Sequence, residues 1–376
     1  MQNSQPIYFD IAATTPVDNQ VLELMHTINS NYYGNPSSIH QLGQKSHNLI
    51  EKSRISIADL LNCKTSEIIF TSGGSESNNL ALRGLLNKGD HFITSSYEHP
   101  SILSLAKDLE KNGIEVSFVK PNHNGIIDIL ELEKKIKSNT KLISIMYVNN
   151  ELGTINPIKD IAEFAKEENI LFHTDAVQIA GKKSIDLKSL NIDLMSIGAH
   201  KFYGPKGIGL LYIRQGINIK PIISGGGQES GIRAGTENLS FIAGMELALK
   251  IACDKLDTNN NKILNLENYF IDRLNNYKIN YRINGVKCLS GFLNITFFNV
   301  DGNNLVMNLD MNNIAISFGS ACASGSTSAP LALLEMGMPD DEAKCTVRIS
   351  IGKFITKDDI DNLANTINKI ISRIKK

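Results

Sequence analysis

Three short stretches hold residues whose types and surroundings suit covalent chemistry on a carbonyl compound. In "SIGAHKFYGPKGIGLLYIR" (196–214), His200 and Lys201 follow an apolar run and precede a glycine-rich turn. A ligand can closely approach a lysine at a strand end with glycines beside it. Desolvation there lowers the amine pKa and makes the nitrogen nucleophilic, as a Schiff-base lysine requires. A solvent-facing turn lysine has the same local sequence. In "FHTDAVQ" (172–178), Asp175 stands at the C-terminal end of an apolar run, where open α/β sheets bind ligands. Its carboxylate can hold a ring nitrogen protonated, or cap the segment that follows. In "TSGGSESNNLAL" (71–82), two glycines lead into Ser75 and Glu76 at the start of a helical pattern. Backbone N–H groups at such a start bind phosphate. The stretch is neither G-x-x-x-x-G-K-[ST] nor G-x-G-x-x-G, which turns the reading away from a nucleoside triphosphate but leaves phosphate open.

A fourth stretch, "SFGSACASGSTSAP" (317–330), sets Cys322 among Gly, Ser, Ala and Thr. A packing cysteine sits among apolar side chains, whereas this composition is that of a mobile loop. The thiol is then either inert or carried to a site. Of the five cysteines, Cys63, Cys253, Cys288 and Cys345 stand in apolar or helical contexts or before a strand, where packing explains them. No C-x-x-C occurs, so no metal site or redox pair is expected, and free thiols in a reducing cytoplasm are. A carbonyl-reactive lysine, an acid for a ring nitrogen and a phosphate cradle, at separate strand ends, together describe a pyridoxal 5'-phosphate site.

These residues need a scaffold that brings strand ends together. Apolar runs at 67–72, 91–96, 115–120, 141–148, 170–176 and 194–199 predict buried strands, and their unbroken apolar character suits a sheet covered on both faces. Amphipathic stretches such as 101–113 and 158–170 separate them, an alternation that argues for a mainly parallel α/β sheet. Near residue 238 a long helical segment begins. It reads as a connector to a second unit carrying 291–300, 346–352 and a last helix capped by Thr356 and Asp359. The length of 376 residues suggests about two domains. A formal net charge of −1 gives no electrostatic case for direct nucleic-acid or anionic-membrane binding. No run approaches the ~18 apolar residues of a membrane span, and "MQNSQPIYFD" lacks the order of a signal peptide.

Further motifs run the length of the chain: "YFDIAATTPVD" (8–18), "GNPSSIHQLGQ" (34–44), "YEHPSIL" (97–103), "VNNELGTINPI" (148–158), "GGGQESGIRAGTEN" (225–238), "GSACASGS" (319–326) and "RISIGKF" (348–354). With the stretches above, they resemble those of cysteine desulfurases of the NifS/IscS kind, in the class V aminotransferase family of fold type I pyridoxal phosphate enzymes. The resemblance implies a large α/β domain, 16–255, with a mainly parallel seven-stranded sheet between helices. It implies a smaller α+β domain, 1–15 and 256–376, carrying the mobile cysteine loop at about 317–337.

By the same resemblance, Lys201 would bind the cofactor covalently, Asp175 would pair its pyridine nitrogen, and His99 would stack on the ring and move protons. Asn150 and Gln178 would hydrogen-bond near the phenolic oxygen. Gly74, Ser75 and His200 would hold the phosphate, and Thr236 would reach the phosphate of a partner subunit in a homodimer. Arg348 would clamp the substrate carboxylate, and Asn35 would line the substrate pocket. Cys322 would be the nucleophile that takes sulfur from L-cysteine, leaving L-alanine and a persulfide. The implied partners are iron–sulfur scaffold or other sulfur-acceptor proteins, with tRNA thiolation a further destination. One departure touches the site: Gly198 stands where the family usually has a serine that donates to the phosphate.

Overall fold

The computed structural model describes residues 6–319 and 329–374. Its strands are β1 (Ile7–Tyr8), β2 (Ile68–Thr71), β3 (His91–Ser95), β4 (Glu115–Val119), β5 (Thr140–Ser144), β6 (Leu171–Asp175), β7 (Leu194–Gly198), β8 (Gly209–Ile213), β9 (Tyr281–Ile283), β10 (Phe292–Phe297), β11 (Ile314–Ala315) and β12 (Thr346–Ser350). Its helices are α1 (Asn19–Asn31), α2 (Gln41–Leu61), α3 (Gly74–Leu85), α4 (Pro100–Lys111), α5 (Ile129–Glu133), α6 (Ile158–Glu167), α7 (Leu239–Asp254), α8 (Leu256–Asn276), α9 (Gly302–Asp310), α10 (Leu331–Glu335), α11 (Asp340–Ala343) and α12 (Lys357–Ile374).

Seven strands form the main sheet in the order β2-β8-β7-β6-β5-β3-β4. Neighbours from β7 to β4 pair parallel, and β8 runs antiparallel to both β7 and β2. Both faces are covered, as the unbroken apolar runs require. Leu142, Leu194 and Leu211 enter one core, while their neighbours Ile143, Met195 and Leu210 enter the other. The six strands expected from apolar runs are β2 to β7, with β5 ending at Ser144 rather than at residue 148. β8 was hidden because its short run "GLLYI" directly follows a glycine-rich turn.

The long helical segment is two helices meeting at Lys255, with "DTNNNK" inside α8. Beyond it, β9, β10 and β12 form an antiparallel sheet, and β1 pairs parallel with β11. Phe9, Phe270, Ile295, Phe297, Ile349 and Ile367 build a core of their own there. Asp359 accepts from Thr356 N at 2.8 Å and returns its own N–H to Thr356 Oγ1 at 3.3 Å, so the box at the head of α12 closes with Asp in the usual Glu place. No described helix is long and apolar enough to cross a membrane.

Local structure at three strand ends matters for the site. After β2, Gly73 takes φ 150°, a conformation open to glycine, and lets α3 start at once. After β3, His99 caps α4, and Pro100 fills the first helical position, where no N–H is needed. After β7, a single 3-10 turn, Ala199–Lys201, carries the lysine out of the sheet.

Candidate active site

A cavity of about 250 Å³ opens where these strand ends meet, and Gly74, Ser75, His99, Asp175, His200 and Lys201 all line it. Asn150, Gln178 and Arg348 line it as well. Lys201 Nζ donates to the carbonyls of Ala12 at 2.5 Å and Ala13 at 2.6 Å, so the segment after β1 forms one wall. Gln178 Nε2 donates to the same Ala12 carbonyl at 2.8 Å.

Asp175 ends β6 and is buried. Its Oδ1 accepts from Val177 N at 3.0 Å and its Oδ2 from Asn78 Nδ2 at 2.8 Å. Of the two readings the sequence left open for it, the cap on the following turn is observed, and the carboxylate also lines the cavity. His99 Nδ1 accepts from Ser101 N at 3.1 Å, so a neutral ring carries its proton on Nε2. Burial pushes the His99 pKa down, and the Lys201 charge adds to this while Asp175 opposes it. Asn78 Nδ2 also donates to Ser101 Oγ at 2.9 Å, so one amide ties the partner of His99 to Asp175.

The N-terminus of α3 also borders the cavity through Gly74 and Ser75. A Cβ at Gly74 would lie 2.6 Å from Val177 Cγ2, so glycine keeps the backbone bare there. The first-turn N–H groups of a helix have no partners within it and favour an anion. His200 Nδ1 lies 3.1 Å from Thr14 Oγ1. Burial, then the charges of Lys201, Lys206 and Lys182, push the His200 pKa down to about 3, so the ring is neutral at pH 7. A buried acid, an amine and a bare helix N-terminus, in that arrangement, fit the ring nitrogen, carbonyl and phosphate of pyridoxal phosphate. Arg348, on β12, donates from Nη1 to the Asn150 carbonyl at 2.6 Å and from Nη2 to Asp10 Oδ1 at 2.7 Å. Its Nε is buried without a hydrogen-bond partner among the described residues.

Two predicted residues are not brought to this cavity. Asn35 and Thr236 are exposed on this chain, and Asn35 Oδ1 is used locally by Ser37 N at 2.9 Å. Cys322 lies outside the described residues. Burial pushes the Cys63 and Cys288 thiols up to about 12, in keeping with packing roles. Sequence reasoning missed Asp10, Asn78, Glu98 and Ser101. Each lies inside a motif already quoted, and each acts by holding a neighbour. Glu98 Oε1 accepts from Ser95 Oγ at 2.5 Å and Met146 N at 2.8 Å, bracing two strand ends beside the cavity. Burial pushes its pKa up to about 8.

The profile of the class-V aminotransferases matches residues 7–363. The cysteine desulfurase IscS of Dictyoglomus turgidum is 40% identical over 375 residues, covering 98% of this chain and 95% of that protein. Among solved structures, a NifS-like protein superposes with a TM-score of 0.92 at 36% identity, covering 98% of this chain and 100% of the other. A structure described as SspA in complex with cysteine gives a TM-score of 0.83 at 39% identity, over 93% of this chain and 100% of its own. By fold, by the residues that meet in the cavity and by these likenesses, the chain belongs to the class-V aminotransferase family of fold type I, among its NifS/IscS-like cysteine desulfurases.

Proposed function

We propose that the protein is a pyridoxal phosphate-dependent cysteine desulfurase that passes sulfur from L-cysteine to Cys322. The observation that carries the reading is the single cavity in which Lys201, Asp175, His99 and Arg348 converge. A relative of similar fold described in complex with cysteine supports the substrate. The chemistry supplied by bound pyridoxal phosphate is a carbonyl for amines and an electron-withdrawing ring.

In this reading Lys201 makes the covalent link and Asp175 holds the ring nitrogen, while Asn150 and Gln178 serve the ring oxygen. Gly74, Ser75 and His200 hold the phosphate. Arg348, already fixed by Asp10 and the Asn150 carbonyl, meets the substrate carboxylate. Lys201 takes the substrate α-proton once displaced, and His99 moves protons beside it. The Cys322 thiolate attacks the substrate sulfur. The Cβ–S bond breaks, its electron pair stays on Cβ and is protonated, and the products are L-alanine and a Cys322 persulfide. Ser317 pairs with Arg348 through Ser317 N to Arg348 O at 3.1 Å, and the five residues on to Cys322 can span up to about 18 Å. That reach supports delivery of the thiol to the cavity.

The same proposal takes 16–255 as the cofactor domain and 1–15 with 256–376 as the smaller one, supported by the core that Phe9 shares with Phe270, Ile295, Ile349 and Ile367. It also takes the protein as a cytoplasmic homodimer in which Thr236 serves the partner's phosphate and Asn35 the substrate pocket. Ile39 at 92% and Tyr33 at 75% exposure supply apolar surface near Asn35 for such a contact. The persulfide is then consumed by iron–sulfur scaffold or other sulfur-acceptor proteins, including those of tRNA thiolation. The test is alanine and sulfide release from L-cysteine. Alanine is expected to stop near one equivalent per site without reductant and to continue with it. No alanine under either condition sinks the reading.

A further inference from the structure

A second cavity, of about 260 Å³, is lined by Lys182, Tyr203, Cys288 and Phe292 among others, and Lys182 reaches from it to Gln178, which lines the cofactor cavity. Lys182 Nζ donates to the Gln178 carbonyl at 3.0 Å and to Gln178 Oε1 at 3.2 Å. At the other end of that side chain, Gln178 Nε2 donates to the Ala12 carbonyl at 2.8 Å. An ammonium has only donors and a carbonyl only accepts, so the two partners together dictate which end of the amide is oxygen. With one Nε2 hydrogen on Ala12, the other remains for the cofactor cavity that Gln178 lines. The Ala12 carbonyl also accepts from Lys201 Nζ at 2.5 Å, which ties the arrangement to the reactive amine. Lys182 Nζ lies 5.2 Å from the Phe292 ring centroid, an aromatic face that steadies a cation. Burial, then the Lys201 and Arg348 charges, push the Lys182 pKa down to about 7.

We propose that Lys182 is a positioning residue: by holding Oε1 it turns the Gln178 amide so that an N–H donor, not an oxygen, faces the cofactor cavity. The inference rests on the reading that Gln178 meets the phenolic oxygen of pyridoxal phosphate. Without Lys182 the Ala12 carbonyl alone would hold the amide, and each rotation away from it would set the amide oxygen against that oxygen, where two acceptors repel.

Holoenzymes carrying Lys182→Met, Lys182→Arg, Gln178→Leu and the double change Lys182→Met with Gln178→Leu test this by two readouts. One is the visible absorption maximum of bound pyridoxal phosphate, and the other is its dissociation constant. Lys182→Met is expected to move the maximum in the same direction as Gln178→Leu and to weaken cofactor binding about twofold to tenfold. Lys182→Arg keeps a donor and should keep the parent maximum. Adding Lys182→Met to Gln178→Leu should move nothing further. Lys182→Ala carries the same expectations as Lys182→Met and serves if that variant does not fold. A shift with Gln178→Leu but none with Lys182→Met overturns the proposal and leaves the Gln178 contact standing. No shift with Gln178→Leu overturns that contact and the proposal with it.

Discussion

Arg348 Nη2 and Asp10 Oδ1 are 2.7 Å apart, with the arginine side chain only 1% exposed and the aspartate 16%. The pair joins β12 to the segment after β1, so it orients a guanidinium that lines the cavity and pins the chain that leads to Ala12 and Ala13. Removing one partner of a buried pair leaves an uncompensated charge, which costs more than the pair contributes. Asp10→Ala is therefore expected to lower unfolding stability by about 3 kcal/mol, and Asp10→Asn by less because an acceptor remains. Urea unfolding checks this, and a loss below about 1 kcal/mol for the alanine variant, as for an exposed pair, would contradict it.

Gly198 has room for a side chain. A Cβ there would lie 3.4 Å from Gly74 N, 3.5 Å from His200 Cδ2 and 3.6 Å from Val177 Cγ1, all ordinary contacts, and its φ of −129° suits any residue. A serine hydroxyl would thus stand beside the start of α3 without crowding. Gly198→Ser is expected to tighten pyridoxal phosphate binding about tenfold, the lower end for a hydrogen bond to a charged group. Equal or weaker binding in equilibrium dialysis would show that the position has no such role.

Glu98 is 2% exposed, and Oε2 has no partner among the described residues. Its folded pKa, raised to about 8, lies above the ordinary carboxylate range, so the folded state holds a proton that the unfolded chain releases. Stability from this group is therefore full below about pH 4.3 and is lost as pH rises toward the folded value, by up to about 1.4 kcal/mol per pH unit. Glu98→Gln mimics the protonated form and removes that loss. Its melting temperature should gain on the parent's between pH 5 and pH 8 in a series of thermal scans. Parallel curves would mean that Glu98 is ionised in the fold.

Lys201→Ala should bind pyridoxal phosphate without a borohydride-trappable link, lack the visible absorption of the lysine-bound cofactor, and release no alanine. Peptide mapping after borohydride treatment of the parent locates the link. Cofactor found on Lys206 or Lys182 would reassign the site.

Much of this was legible because the chemistry-bearing residues sit at strand ends, and strand ends are marked by abrupt changes from apolar to glycine-rich or polar sequence. Asp175 and Lys201 stood out for that reason, and the bare start of α3 followed from Gly73 and Gly74. The holding residues were not legible. Asn78 reaches Asp175 across 97 positions and Asp10 reaches Arg348 across 338, pairings that only the folded topology creates. β8 was missed because glycines at the turn before it masked a five-residue apolar run. Asn35 and Thr236, exposed on this chain, are assigned roles by likeness to a family and not by any contact within one copy.

The most direct measurement is the mass of the Cys322 peptide after one turnover with L-cysteine and no reductant, with alanine counted in the same sample. The account predicts one added sulfur on that peptide, one alanine per site, and loss of the sulfur on adding a thiol. It also predicts that Cys322→Ala keeps the cofactor spectrum and shows no such adduct. Alanine formed at the same yield with the added sulfur on Cys63, Cys253, Cys288 or Cys345, or on no cysteine at all, would contradict it.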